Sequence, residues 1–216
     1  MMWIMKAVVA GVVLAALVVV VGCTGADPAP NTASVSVGPP RSTAPPRSSP
    51  ASPAAVYPAD VPLTGHNVRP GERPPVYPAA ARVRSQAGAN AFAEFFMHTL
   101  DWAYATTNPS YMKHYYASSC GLCSGLATGI TKTAQQNRWY LGGRLSIRST
   151  TRQPIGDVTA PADFCSQPSV DITATAVVDK TAKVFNGQGA LTAQTFKICS
   201  KMRDNAWNVT YMIGTS

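Results

Sequence analysis

The sequence predicts an α+β domain in which three N-terminal helices pack on a four-stranded antiparallel sheet. Two periodicities predict it: apolar residues recur every three or four positions in the first half of the folded part and every second position in the other half. Composition sets its bounds. Fourteen of the eighteen prolines lie between Pro28 and Pro78, which places the folded part after them, over 78–216.

The chain opens on an apolar run, Ala7 to Gly22, with a single cation, Lys6, before it. That is the pattern of a secretory signal, here 1–22, and not of a span, which needs about 20 apolar residues. Val20-Val21-Gly22-Cys23 resembles a lipobox. The resemblance implies that Cys23 is acylated, with a palmitate-like chain among its lipids, and becomes the N-terminus of an anchored protein. Each buried methylene contributes about 0.8 kcal/mol, so two or three chains hold a protein on a membrane. The expected location is the extracytoplasmic face of the cell membrane.

Residues 23–77 are mostly Pro, Ala, Ser, Thr and Gly, which bury too little apolar surface to offset chain entropy. A disordered linker is expected there, with a reach between roughly 40 Å as a coil and roughly 170 Å fully extended.

The first helix is read from Ala91, Phe92, Phe95, Phe96, Thr99, Leu100, Trp102 and Ala103, entered through Ser85-Gln86-Ala87-Gly88. Asn108 as N-cap and Pro109 as first helical residue start a short second helix through Tyr111, Met112, Tyr115 and Tyr116. A third helix is expected from about Gly121 to Asn137, with Leu122, Leu126, Ile130 and Ala134 on its core face, and Gly142-Gly143 closes the helical half.

Four strands follow. Leu145, Ile147 and Ser149 alternate with polar residues, and Val170, Ile172, Ala174, Ala176 and Val178 make one continuous alternation. The segments 195–199 and 207–211 do the same. Asn186-Gly187 is expected to turn the second strand into the third, and Asp204-Asn205 the third into the fourth.

This order of elements resembles the cystatin-like, or nuclear-transport-factor-2-like, cone with its curved sheet. Arg73-Pro74-Pro75-Val76-Tyr77-Pro78, Ala79-Ala80-Ala81, Tyr104-Ala105-Thr106 and Ser118-Ser119-Cys120-Gly121-Leu122-Cys123 are similar to segments of actinobacterial lipoproteins of unknown function with a domain of that type. The resemblance implies a fold and an envelope location, and brings no catalytic residue.

Five groups of side chains are candidates for chemistry. Cys120 and Cys123 form a C-x-x-C at a helix start, open to a structural disulfide, a redox dithiol or half a zinc site. No second pair stands at ligand spacing, so no metal is expected. An exported chain favours disulfides, and with Cys23 acylated the preferred pairing is Cys120 with Cys123 and Cys165 with Cys199. Strand parity puts Cys165 and Cys199 on one face, but a tight turn at Asn186-Gly187 sets Cys199 opposite Ala174 instead. Bridging then needs a wider loop or a bend before Pro168.

Glu94, His98 and Asp101 stand at one-turn spacing, and with Tyr104, Tyr111 or Tyr115 they supply the groups of an acid-base enzyme of the isomerase or dehydratase type. They sit largely off the buried stripe, which favours a solvated face. His66 and His114 carry no assigned role. The aromatic set Trp102, Tyr104, Tyr111, Tyr115, Tyr116, Trp139, Trp207 and Tyr211 is either core or the lining of an apolar pocket.

The fifth group is Arg144, Arg148, Arg152, Lys197 and Lys201, expected on outward strand positions as a platform for an anionic polymer or an acidic envelope protein. The formal charge of +8 agrees with an anionic partner. Nucleic acid is excluded by the expected compartment and by the lack of any binding motif. The reading that results is a lipid-anchored, non-catalytic binding domain without cofactor. The alternatives are the acid-base enzyme and a thiol oxidoreductase.

Overall fold

The computed structural model describes residues 57–156 and 158–215. The predicted signal, Cys23 and the linker up to residue 56 lie outside the described residues. Helix α1 spans Gln86–Thr106, α2 Ser110–Lys113 and α3 Gly121–Gln135. The strands are β1 Arg138–Gly142, β2 Leu145–Gln153, β3 Phe164–Ile172, β4 Thr175–Asp179, β5 Val184–Gln188, β6 Leu191–Arg203 and β7 Ala206–Thr215.

Three helices on one four-stranded sheet, the expected fold class, is not what the chain builds. It forms two antiparallel sheets, a three-stranded one in the order β1-β4-β5 and a four-stranded one in the order β2-β3-β6-β7. Helix α1 packs on β1 of the first and on β2, β3 and β6 of the second. Nor do the helices open the fold, since the segment 57–78 and a short 3-10 turn, Ala79–Arg82, precede them.

The physical reason lies at one line across the sheets. Gly142 and Gly143 both take the left-handed region, with φ of 67° and 66°, and redirect the chain between β1 and β2. Opposite them, Gly143 N donates to Ala174 O at 2.9 Å, where the chain leaves β3 and enters β4. The sequence alternation from Val170 to Val178 hides this change, since Ile172 of β3 and then Thr175 and Val177 of β4 face the cleft, so the inward parity switches where the chain changes sheets. Asn186-Gly187, expected as a hairpin turn, is paired strand: Asn186 faces Val177 and Gly187 faces Ala176. β1, which lies between the expected end of the third helix and Gly143 and is not among the expected strands, pairs along its length with β4.

Residues 57–77, assigned by composition to the linker, lie against the helices. Trp102 Nε1 donates to Pro62 O at 3.0 Å, Tyr111 Oη to Pro75 O at 2.6 Å and Tyr57 Oη to Pro74 O at 3.0 Å. Proline has no N–H to satisfy, yet its carbonyl still accepts, so this Pro-rich segment is held by donors from α1, α2 and its own Tyr57. Val61 of the segment is buried.

Ser85 Oγ caps α1 by accepting from Gly88 N, and Thr107 ends it in the left-handed region. Its buried face, Phe92, Phe96, Met97 and Trp102, meets Trp207 of β7, whose ring stacks on Phe92 at 6.3 Å. α3 buries Cys123, Ala127 and Ile130, whereas Leu122, expected in the core, is 37 % exposed. Among the described residues no helix is long and apolar enough to cross a membrane.

Candidate functional site

Met97 stands three and four residues before Leu100 and Asp101, and Tyr104 four and three residues after them, so the four share one stripe of α1. The divergence of the two sheets at Gly142-Gly143 leaves that stripe facing a cleft of about 240 Å³. Tyr140 of β1, Leu145 of β2, Ile172 of β3, Val177 of β4 and Phe196 of β6 complete an aliphatic and aromatic wall, with Leu126 of α3. The Asn186-Gly187-Gln188 edge of β5 forms the rim.

One carboxylate lines the cleft, and it is fully engaged. Asp101, 8 % exposed, accepts from Leu145 N at 2.9 Å and from Arg144 Nη2 at 2.7 Å and Nε at 3.1 Å. Arg144 also donates to Glu72 Oε1 and Oε2 at 2.5 and 3.0 Å and to Asn67 O at 3.1 Å. The hydrogen bond from Arg144 holds the Glu72 carboxyl below its ordinary range, and the two carboxylates hold the guanidinium charged beyond even its usual range.

Two tyrosines meet edge to face in the cleft, Tyr104 and Tyr140, at 4.8 Å. The Tyr140 hydroxyl is 3.0 Å from Thr133 Oγ1, whereas Tyr104 Oη makes no hydrogen bond among the described residues. Burial pushes the Tyr104 phenol up to about 12.

Of the acid-base candidates, only Asp101 and Tyr104 enter the cleft. His98 is exposed and Glu94 half-buried, and neither lines the cleft. Tyr111 and Tyr115 pack against Phe95 at 6.1 and 4.8 Å, away from it. His114 Nε2 stands 2.8 Å from Asp60 Oδ1 at the surface, and His66 stacks on Trp139 at 3.9 Å.

The expected basic platform is corrected. Arg144 points inward to its two carboxylates, Asp101 of α1 and Glu72 of the segment 57–77. β3 separates β2 from β6, so Arg148 and Arg152 do not adjoin Lys197 and Lys201. Arg152 stands opposite Ser166, whose Oγ donates to Asn90 of α1, and so lies on the helix-facing side. Lys197 alternates with core Ile198 and lies on the other, where it donates to Ile155 O at 2.8 Å. Arg148, set in a bulge, pairs with Asp171 at 2.7 Å.

Cys120 is joined to Cys123 and Cys165 to Cys199, and all four are 0 % exposed. Cys165 and Cys199 are direct register partners on β3 and β6, because β4 and β5 form the wide excursion between them. Among the described residues no group of three His, Cys, Asp or Glu side chains is placed to hold a metal. Glu72 and Asn67, which complete the Asp101 cluster, escaped the sequence reading. Their one signal is the run of large apolar residues Tyr57, Val61, Leu63, Val68 and Tyr77 amid the prolines.

A family model described as a family of unknown function, DUF6318, matches residues 66–213. No curated protein matches the chain. Among solved structures the chain is similar to the intermembrane space region of chloroplast protein ARC6, at 11 % identity over 61 % of this chain and 97 % of that one, with a TM-score of 0.40. At that score the likeness carries no argument.

Proposed function

The chain belongs to DUF6318, a family of unknown function, and we propose that it is a lipid-anchored envelope protein whose domain binds an apolar ligand without catalysis. One observation carries the binding reading. The cleft against α1 is apolar, and its one carboxylate, Asp101, is consumed by Arg144 and the Leu145 amide. A general base needs a free lone pair within reach of the substrate, and Asp101 has its oxygens engaged by a fixed guanidinium. Thiol exchange is disfavoured on similar grounds, since both cysteine pairs are closed and fully buried.

An engineered 150 Å³ apolar cavity binds benzene, so a cleft of about 240 Å³ takes about ten heavy atoms. n-Butylbenzene is a probe of that size. Titrated into the full chain, it is expected to shift the amide resonances of Leu100, Leu145 and Phe196 saturably. Unchanged resonances at probe saturation sink the reading.

The anchoring half rests on Val20-Val21-Gly22-Cys23. Cys23→Ser is expected to move most of the protein from the membrane to the soluble fraction of the producing cell. Retention of the variant on the membrane refutes acylation at Cys23.

A further inference from the structure

We propose that the cleft takes a neutral apolar molecule or chain end bearing one hydrogen-bond acceptor, a ketone, ester or ether oxygen, which Tyr104 Oη meets as donor. This rests on the apolar-ligand reading above and names the chemistry of its ligand. Inside its exposed rim, the polar side chains that line the cleft have their partners, with one exception. Asp101 is saturated, the Tyr140 hydroxyl is engaged with Thr133, and Thr175 Oγ1 donates to Thr173 O at 3.4 Å. Asn186 and Gln188 stand on the exposed rim, where water serves them.

Tyr104 is left. Its phenol lines the cleft, half-buried, with no acceptor among the described residues. Solvent reaches the hydroxyl, and an apolar ligand that fills the cleft displaces that water, so a ligand acceptor at that place keeps the hydroxyl bonded. Burial keeps the phenol protonated, and hence a donor, at every physiological pH.

Charge at the site decides between a neutral acceptor and an anion. Arg144 is committed to Asp101 and Glu72, and Arg69 acts on Glu72 as well, so no cation beside the cleft is left for a ligand anion. A ligand carboxylate would be desolvated there with only one phenol as donor. A ketone or ester oxygen asks for a single donor, and one is there.

The test uses the full chain and three probes of matched size: n-butylbenzene, butyrophenone, which replaces one methylene by a carbonyl, and 4-phenylbutyrate. Dissociation constants are measured by NMR titration for the natural chain and for Tyr104→Phe. The variant is expected to bind n-butylbenzene within about twofold of the natural chain and butyrophenone about tenfold more weakly, the loss of one hydrogen bond. The natural chain is expected to bind 4-phenylbutyrate at least about tenfold more weakly than butyrophenone. Equal losses for the hydrocarbon and the ketone in Tyr104→Phe, or 4-phenylbutyrate binding as tightly as the ketone, overturn the inference alone. Failure of n-butylbenzene to bind the natural chain overturns the ligand-binding reading, and the inference falls with it.

Discussion

Arg144 Nη2 stands 2.7 Å from Asp101 Oδ2, and the same nitrogen is 2.5 Å from Glu72 Oε1. One guanidinium thus ties β2 to helix α1 and to the Pro-rich segment before it. Its side chain is only 11 % exposed. Breaking a buried pair leaves an uncompensated charge, here on Asp101. Arg144→Ala is therefore expected to cost about 3 kcal/mol in urea unfolding at neutral pH. A loss under about 1 kcal/mol, the range of a surface pair, would mean that the cluster does not join these elements.

Acid should loosen the same cluster. Arg144 holds the Glu72 carboxyl below its ordinary value, so folding favours the ionised form. Its contribution is complete above the unfolded value, about pH 4.3, and is lost as pH falls through the lower folded one. Asp60, Asp163, Asp171 and Asp179 are shifted in the same direction. The informative quantity is thus a difference: between pH 5 and pH 3 the urea midpoint of Glu72→Gln is expected to fall less than that of the natural chain. Parallel curves would remove Glu72 from the acid response.

The two disulfides close loops of very different length, with sequence separations of 34 and 3. In the chain-entropy model the longer loop contributes about 4 kcal/mol and the shorter about 2 kcal/mol. Replacing Cys165 and Cys199 together by serine is expected to lower the thermal midpoint more than the same change at Cys120 and Cys123. The reverse order would show that the core position of Cys120 and Cys123 outweighs loop length.

Thr150 Oγ1 is buried on β2 without a hydrogen-bond partner, where Thr150 faces Pro168. Valine has nearly the same shape and no hydroxyl to desolvate. Thr150→Val is expected to raise stability by about 1 kcal/mol, read as a higher urea midpoint. A destabilised variant would mean that the hydroxyl is bonded after all.

Local signals in the chain account for the helices and for one turn. Ser85 and the aromatic spacing after it mark α1, and Asp204-Asn205, with φ of 49° and 60°, makes the two-residue turn between β6 and β7. Each involves only near neighbours. Asn186-Gly187 shows the limit of such reasoning: the same dipeptide chemistry that suits a turn is held in β5 by pairing with β4, and the chain turns at Lys180-Thr181 instead, around the Asp179 carboxylate.

The candidate site was legible only in pieces. Asp101 and Tyr104 stood on a recognisable helix, but Asp101 read as solvated, since the residues that cover it are remote in sequence. Arg144 read as outward because alternation gives the parity of a side chain and not what is packed beside it. Glu72 was hidden by composition: proline counts mark the absence of a regular element, while order in 57–77 depends on donors from Trp102 and Tyr111.

What the sequence determined by itself is therefore local: helix spacing and caps, the final turn, and an even set of cysteines in the folded part. Tertiary structure alone decided that the strands divide into two sheets, that Arg144 turns inward, and that a cleft opens beside Tyr104. The reason is physical. Period and capping are set within a few residues of chain, whereas sheet membership, charge pairing and empty space depend on which distant segments meet, and here two left-handed glycines and a Pro-rich strap make that choice.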